Sequence, residues 1–300
     1  MHPAEFSILL HRALEGRLGS LLELTAREDW RQDPEGLHDV RVASRRVRAV
    51  LELVDPGIYP KYNRHLRRLK ALTGALGASR EHDVHLALLL AQQTTSMETS
   101  TLAALEHAQE LLDHARWRSQ KRMARDLSRL SVAECEGLLR VPNLPDPFAP
   151  GDAPASARAC LEPKLRAALG PLSSLAIQED ATRMHAVRIQ IKKTRYTLEI
   201  LAPVIEGQVG PVLDHLRELQ TILGEHHDLA TLEGYLWSLH EGLTVRNRMV
   251  LAAGLLEILG RVAETRRIWF DRFCELAPRL TLEGFLTTLW PPAASPECAP

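Results

Sequence analysis

A helix-forming segment with one cationic face occurs twice in this chain, and this repeat constrains the fold more than any other feature. The first copy, LHDVRVASRRVRAVLELV, covers Leu37 to Val54. At 100° per residue His38, Arg41, Arg45 and Arg48 fall on one narrow arc, and Val40, Val47, Leu51 and Val54 cluster on the opposite side. The second copy, MHAVRIQIKKTRYTLEIL, covers Met184 to Leu201, 147 residues later. We call the matching basic residues the two basic stripes: His38, Arg41, Arg45 and Arg48 in the first copy, and His185, Arg188, Lys192 and Arg195 in the second.

Composition agrees with a helical fold. Aromatic residues make up 5% of the chain and hydrophobic residues 45%. Leu, Ala, Arg and Glu dominate, whereas strands favour β-branched and aromatic residues. We therefore predict an all-α protein that is long enough to bury a sizeable core.

Helical periodicity and breaker residues predict the same helix order in both halves. In the first half we expect helices over residues 4–27, 37–55, 59–76, 80–93 and 98–130, with a short one at 131–140 and Gly77 ending the third. In the second half we expect helices over 155–169, 184–201, 209–223, 227–240 and 244–276, with Gly224 ending the third. Five prolines between Pro142 and Pro154 predict a linker. The predicted units are two copies of one helical bundle, residues 1–141 and 155–300, joined by residues 142–154.

The basic stripes favour an anion of extended shape. His38 to Arg48 spans about 15 Å at the rise of an α-helix, so the charges form a line. Arginine binds phosphate oxygens in bidentate fashion, and lysine adds a compact point charge. Glu52 and Glu199 continue the stripes by one position and can relieve the repulsion at their C-terminal ends. An anion would also favour protonated histidine, so binding is expected to strengthen at mildly acidic pH.

Other functions must be weighed against an anion site. A single basic stripe is also typical of a solvated helix face, but repetition at identical helical angles favours function. His-Asp pairs at residues 38–39, 82–83 and 227–228 allow a metal-dependent phosphohydrolase, although no HExxH-type spacing occurs. A nucleic-acid binder would interleave aromatic residues with the cations, and only Tyr196 lies near a stripe. A helical adaptor that docks a protein partner stays open as an additional role. We expect no enzyme activity, no cofactor and no bound metal.

Charge, cysteines and hydropathy suggest a cellular location. The formal net charge is −1, so the basic field is local. The four cysteines show no CxxC spacing, which is typical of reduced thiols in the cytosol. No segment has the roughly 18 uninterrupted apolar residues of a membrane span. We therefore expect a cytoplasmic protein without a membrane partner.

The repeated motifs resemble those of the CHAD domain, the conserved histidine α-helical domain. The first set is His38-x-x-Arg41-Val42 followed by Arg45-Arg46-x-Arg48, and later Leu76-Gly77-x-x-Arg80-Glu81-x-Asp83. The second set is His185-x-x-Arg188-Ile189 followed by Lys192-Lys193-x-Arg195, and later Leu223-Gly224-x-x-His227-Asp228. His227 stands where Asn is frequent in the family. The chain has no ExExK signature of the triphosphate-tunnel domain to which some members are fused, so it resembles a stand-alone member.

The resemblance implies a fold and a ligand. The fold would be two pseudo-symmetric four-helix bundles whose basic helices face a central groove or pore. The ligand would be inorganic polyphosphate, with the protein at polyphosphate granules and proteins that process polyphosphate as further partners, while nucleic acid is not expected. The candidate binding residues are His38, Arg41, Arg45, Arg46, Arg48, Arg64, Arg67, Arg68, His185, Arg188, Lys192, Lys193, Arg195 and Arg217.

Overall fold

The structure is a computed structural model that describes residues 4–27, 29–30, 33–53, 60–94, 97–128 and 153–292. Every regular element in these ranges is helical, as predicted. The helices of the first half are α1 (Ala4–Ala26), α2 (Pro34–Leu51), α3 (Pro60–Ala91) and α4 (Thr99–Ser128). The helices of the second half are α5 (Ala153–Leu169), α6 (Leu172–Ile177), α7 (Ala181–Leu201), α8 (Val209–Val245), α9 (Met249–Leu276) and α10 (Leu282–Leu289).

Helices α2 and α7, which carry the basic stripes, both begin at a capping aspartate. The Asp33 carboxylate accepts a hydrogen bond of 2.9 Å from the backbone N–H of Gly36. Asp180 lies 147 residues later and accepts from the N–H of Arg183, also at 2.9 Å. Each cap satisfies a donor that the first helical turn leaves without a partner. The two copies therefore start in the same register.

The prediction that Gly77 and Gly224 end their helices is wrong. Helix α3 continues through Gly77 to Ala91, and α8 continues through Gly224 to Val245. No described glycine has a positive φ, so neither residue adopts the left-handed conformation of a helix C-terminus. An interior glycine costs a helix about 1 kcal/mol relative to alanine. Burial of apolar residues on both sides of each glycine offsets that cost.

Two hydrophobic cores explain why α3 and α8 are long. One core contains Leu69, Leu72 and Leu76 of α3, Leu216 and Leu219 of α8, and residues of the eight other helices described above. The other contains Leu89 of α3 and residues of α4, α8 and α9. Helices α3 and α8 pass from one core into the other, and the two halves of the chain meet along α4 and α9, α3 and α8, and α2 and α7. Each core thus draws residues from both halves of the sequence.

Several predicted boundaries shift in the structure. The turn between α8 and α9 lies at residues 246–248, where Asn247 has a φ of 58°. It replaces the predicted break between residues 240 and 244, because asparagine tolerates the left-handed conformation. The short helices α6 and α10 were not predicted. The predicted helix at 131–140 and most of the linker at 142–154 lie outside the described residues, and the division into bundles 1–141 and 155–300 stays a prediction.

Candidate functional site

Helices α2 and α7 each bury one face and present their basic stripe on another. Val40 and Val47 of α2 have no exposed surface, and Val187 and Ile191 of α7 are buried in the same core. The side chains of Arg41, Arg45, Arg188 and Lys192 are half-buried. Apolar packing therefore holds both helices with their cationic residues partly removed from water. This partial burial increases the strength of any electrostatic contact that they make.

Both basic stripes line one cavity of about 810 Å³. All eight stripe residues and Lys193 contribute to its wall. Arg80 from α3 and Lys164 from α5 add two further cations, whereas the lining carboxylates are Glu52, Glu81 and Asp228. Nine Lys and Arg side chains therefore face three carboxylates, which makes the cavity strongly electropositive.

The other five predicted residues are not part of this cavity wall. Arg217 is exposed and pairs with Asp214 at 2.6 Å. Arg46 is exposed, and its carbonyl oxygen accepts a hydrogen bond from the Arg17 guanidinium. Residues 64, 67 and 68 lie on α3 before it reaches the cavity at Gly77. The residues outside the wall are thus Arg46, Arg64, Arg67, Arg68 and Arg217.

The crowded cations shift the pKa of their neighbours. Burial and the charges of Arg188, Arg45 and Arg41 lower the pKa of Lys192 to about 7. Burial and three neighbouring arginines, Arg45, Arg80 and Arg188, lower the pKa of Arg41 to about 10. Both shifts report a cationic cluster whose charges are incompletely compensated by the protein itself. An anion in the cavity would supply that compensation.

Two acids compensate the stripes at one end, as predicted. Glu52 pairs with Arg48 at 3.1 Å, and Glu199 pairs with Arg195 at 3.2 Å. Both pairs have the i, i+4 spacing of neighbouring residues on a helix. The geometry repeats in the two copies, so the remaining excess of positive charge lies towards the beginning and middle of each stripe.

Several donor groups of the stripes are buried without a hydrogen-bond acceptor among the described residues. They include the Nε atoms of Arg41 and Arg188. A buried donor that lacks an acceptor costs about 1–3 kcal/mol. Acceptor oxygens of a bound anion could satisfy these donors.

A pair of histidines forms part of the wall. The ring centroids of His185 and His227 lie 4.0 Å apart. Burial, the neighbouring His185 and the charge of Arg188 lower the pKa of His227 to about 4. Burial and the charges of Arg188 and Lys192 also lower the pKa of His185. Both imidazoles are therefore neutral near pH 7 in the unliganded protein.

Sequence reasoning missed several polar residues of the wall, among them Arg80, Lys164, His227 and Asp228. Arg80 and the His227-Asp228 pair stand in the motifs quoted above, so a signal was present. Lys164 had no such signal, because it reaches the cavity through the packing of α5 on α7. Its carbonyl oxygen accepts a hydrogen bond of 3.2 Å from the buried Thr194 hydroxyl.

The two copies differ at the aspartate that ends the Leu-Gly motif, which is Asp83 in the first copy and Asp228 in the second. Asp228 lines the cavity, where burial raises its pKa against the opposing charges of Arg188 and Lys192. Asp83, at the corresponding place in the first copy, lies outside that wall and pairs with Arg116 at 2.6 Å. The cavity is therefore built from equivalent helices but is not symmetric in its carboxylates.

Within the residues that the structure describes, no helix has the length and apolar character needed to cross a membrane. Within the same ranges, no three or more His, Cys, Asp or Glu side chains are grouped in a way that could hold a metal ion.

Comparison with known proteins identifies the family. No curated protein matches the chain. The fold is similar to the crystal structure of the CHAD domain from the plant Ricinus communis, with a TM-score of 0.64 and 20% identity over 92% of this chain and 93% of that one. It is also similar to PptA from Streptomyces chartreusis, with a TM-score of 0.68 and 17% identity over 90% of this chain and 99% of that one. A family model of the CHAD domain matches residues 12–237, and the chain therefore belongs to the CHAD domain family.

Proposed function

We propose that the cavity between α2 and α7 binds inorganic polyphosphate and does not catalyse a reaction. The observation that carries this proposal is the convergence of both basic stripes on one cavity wall. Each stripe is a line of about 15 Å, longer than a single phosphate can occupy. A linear chain of phosphates offers acceptor oxygens along the whole length. The shared cavity supports the proposal of a central basic groove, which the family resemblance implies.

The chemistry of the wall suits phosphate oxygens better than nucleic-acid bases. Among the described lining residues, Tyr196 is the one Phe, Tyr or Trp side chain. It is 8% exposed, and the Arg195 guanidinium lies 4.7 Å from its ring centroid. A base therefore has little aromatic surface on which to stack, whereas single-strand binders depend on such surfaces. Arginine and lysine donors that contact phosphates give affinity without base selectivity.

The cellular role follows from the ligand. A protein that binds long polyphosphate without consuming it would accumulate wherever the polymer is concentrated. We propose a cytoplasmic location at polyphosphate granules, where proteins that process the polymer would be its neighbours.

A titration by calorimetry tests the ligand. Long-chain polyphosphate, single-stranded RNA and pyrophosphate are compared at the same salt concentration, because phosphate binding depends steeply on salt. We expect polyphosphate to bind most tightly. Arg45→Glu and Lys192→Glu each reverse one charge in the cavity and should weaken binding at least tenfold. RNA binding as tight as polyphosphate binding would contradict the proposal.

Arg217→Glu is the matched control, because it reverses an exposed charge outside the cavity wall. We expect it to change affinity less than threefold. A separate incubation with polyphosphate, followed by measurement of released phosphate and of chain length, tests the absence of catalysis. Turnover that disappears in Lys192→Glu would show that the site is catalytic.

A further inference from the structure

A second cavity, of about 640 Å³, lies between α2, α3 and α4 and adjoins the first. His38, Arg41 and Arg80 line both cavities. We call these three residues the basic junction. An anionic group at the basic junction could therefore belong to a ligand whose remainder extends into the second cavity.

The remainder of the second cavity has a different character from the first. Leu76, Leu86 and Leu90 of α3 line one side, and Trp117 and Met123 of α4 line the other. Leu90 and Trp117 are each 56% exposed. Cavities of this size with mostly apolar walls and a few placed polar groups are typical of small-molecule sites. The wall predicts a ligand with an apolar or aromatic part attached to an anionic part.

The polar groups in this wall favour a flat heteroaromatic ring over a hydrocarbon chain. The Lys121 ammonium lies 3.6 Å from the Trp117 ring centroid, a cation–π contact that holds the indole in place. The Gln120 amide, on the same wall, can both donate and accept hydrogen bonds. The Asp83–Arg116 ion pair also lies along the wall. A hydrocarbon chain would make no hydrogen bond with the Gln120 amide, whereas the polar edge of a base can do so.

We propose that the second cavity binds a nucleoside triphosphate, with its phosphates at the basic junction and its base against Trp117 and Met123. Charge complementarity assigns the phosphates to His38, Arg41 and Arg80. Stacking on Trp117 and contact with the Met123 thioether assign the base. The proposal requires the basic junction but not the binding of long polyphosphate chains. A nucleotide would compete with a polyphosphate chain that occupies the same three residues.

Calorimetry of the full chain with ATP and with inorganic tripolyphosphate tests this site, because the two ligands differ by the nucleoside. We expect ATP to bind about tenfold more tightly, which is the contribution of one stacked base. Trp117→Ala should remove this advantage and leave tripolyphosphate affinity within twofold. Arg80→Glu should weaken both ligands. Trp237→Ala is the control, because that tryptophan is similarly exposed, at 45%, but lies on α8 outside the cavity.

Three outcomes would overturn the nucleotide site. ATP could bind no more tightly than tripolyphosphate, Trp117→Ala could weaken both ligands equally, or decyl phosphate could bind more tightly than ATP. The variant also separates this proposal from the polyphosphate site. If Trp117→Ala binds ATP no more tightly than tripolyphosphate and keeps its affinity for long-chain polyphosphate, the result supports the nucleotide site. If the variant still binds ATP about tenfold more tightly than tripolyphosphate, the nucleotide site is refuted at any affinity for long-chain polyphosphate.

Discussion

The imidazole rings of His185 and His227 lie 4.0 Å apart at the wall of the basic cavity, one on α7 and the other on α8. His185 belongs to the second basic stripe, and His227 belongs to the motif that follows Gly224. Burial and the charges of Arg188 and Lys192 lower the pKa values of both rings, and the neighbouring His185 lowers that of His227 further. The cavity in its unliganded form therefore holds less positive charge than its residue types suggest, and proton uptake can accompany anion binding.

Lys192 is the group whose proton uptake on anion binding should be measurable near neutral pH. Its pKa is about 7 in the unliganded protein, so it loses its charge as pH rises through that value. A polyanion favours the charged form, so affinity should be higher at pH 6.5 than at pH 8.5, by at most tenfold per pH unit for one proton. Titration in two buffers of different ionisation enthalpy measures the protons taken up.

The control for this pH dependence is Lys192→Arg, because arginine keeps its charge across the range. We expect the variant to bind with a flatter pH profile and to take up fewer protons at pH 8. An identical profile in the wild type and in Lys192→Arg would assign the pH dependence to other groups.

The same lysine should reduce the stability of the unliganded protein. Folding lowers the pKa of Lys192, so the cost is greatest below about pH 7 and disappears as pH rises above the ordinary lysine pKa of about 10.4. Lys192→Met removes the charge and keeps the volume. We expect it to stabilise the free protein by about 0.5–2 kcal/mol at pH 7 while it weakens polyphosphate binding. Urea unfolding at pH 7 and pH 10 checks this, and the gain should shrink at the higher pH.

A glycine of α9 tests the contact between the two halves of the chain. A Cβ at Gly254 would collide with the Ser100 carbonyl group of α4 and lie 2.8 Å from the Ala104 Cβ. Gly254→Ala should therefore destabilise the protein by about 1–3 kcal/mol. Gly260→Ala, on the same helix, meets no atom within 4 Å and should stabilise by about 0.5–1 kcal/mol. Equal effects of the two substitutions in thermal unfolding would contradict the close packing of α4 on α9.

The capping aspartates give a local test of the helices that carry the stripes. Asp180→Ala removes the acceptor for the Arg183 N–H and should cost about 1 kcal/mol of stability. Asp214→Ala removes an exposed aspartate on α8 and should change stability by less than about 0.5 kcal/mol. Chemical denaturation of both variants measures the difference. A loss for Asp180→Ala as small as the one expected for Asp214→Ala would show that the cap is unimportant.

The local part of this site could be predicted from sequence, and the non-local part could not. The basic stripes follow from helical periodicity, which fixes Arg41 and Arg45 on one face whatever surrounds them. The sequence analysis did not identify the capping residues Asp33 and Asp180, and it placed the starts of both helices three residues too late. The continuation of α3 through Gly77 could not be predicted from the sequence, because it depends on burial of its apolar residues in two cores. Lys164 reaches the cavity only through tertiary packing.

The charge state of the site was even less accessible to sequence reasoning. The sequence identifies Lys192 as a cation, but its pKa depends on burial and on arginines from both α2 and α7. Asp83 and Asp228 occupy equivalent motif positions, but their surroundings also could not be predicted from sequence. Asp83 pairs with Arg116 of α4 outside the wall of the basic cavity, whereas Asp228 lines that wall. These differences arise from partners far away in sequence.

The claim that both stripes form one site is tested most directly by the binding stoichiometry of a polyphosphate of defined, short length. Native mass spectrometry and calorimetry are applied to the wild type, to Arg45→Glu on α2 and to Lys192→Glu on α7. The shared cavity predicts one chain bound per protein in all three, with lower affinity in either variant. Two chains bound by the wild type, with each variant losing one and binding the other at full affinity, would contradict it.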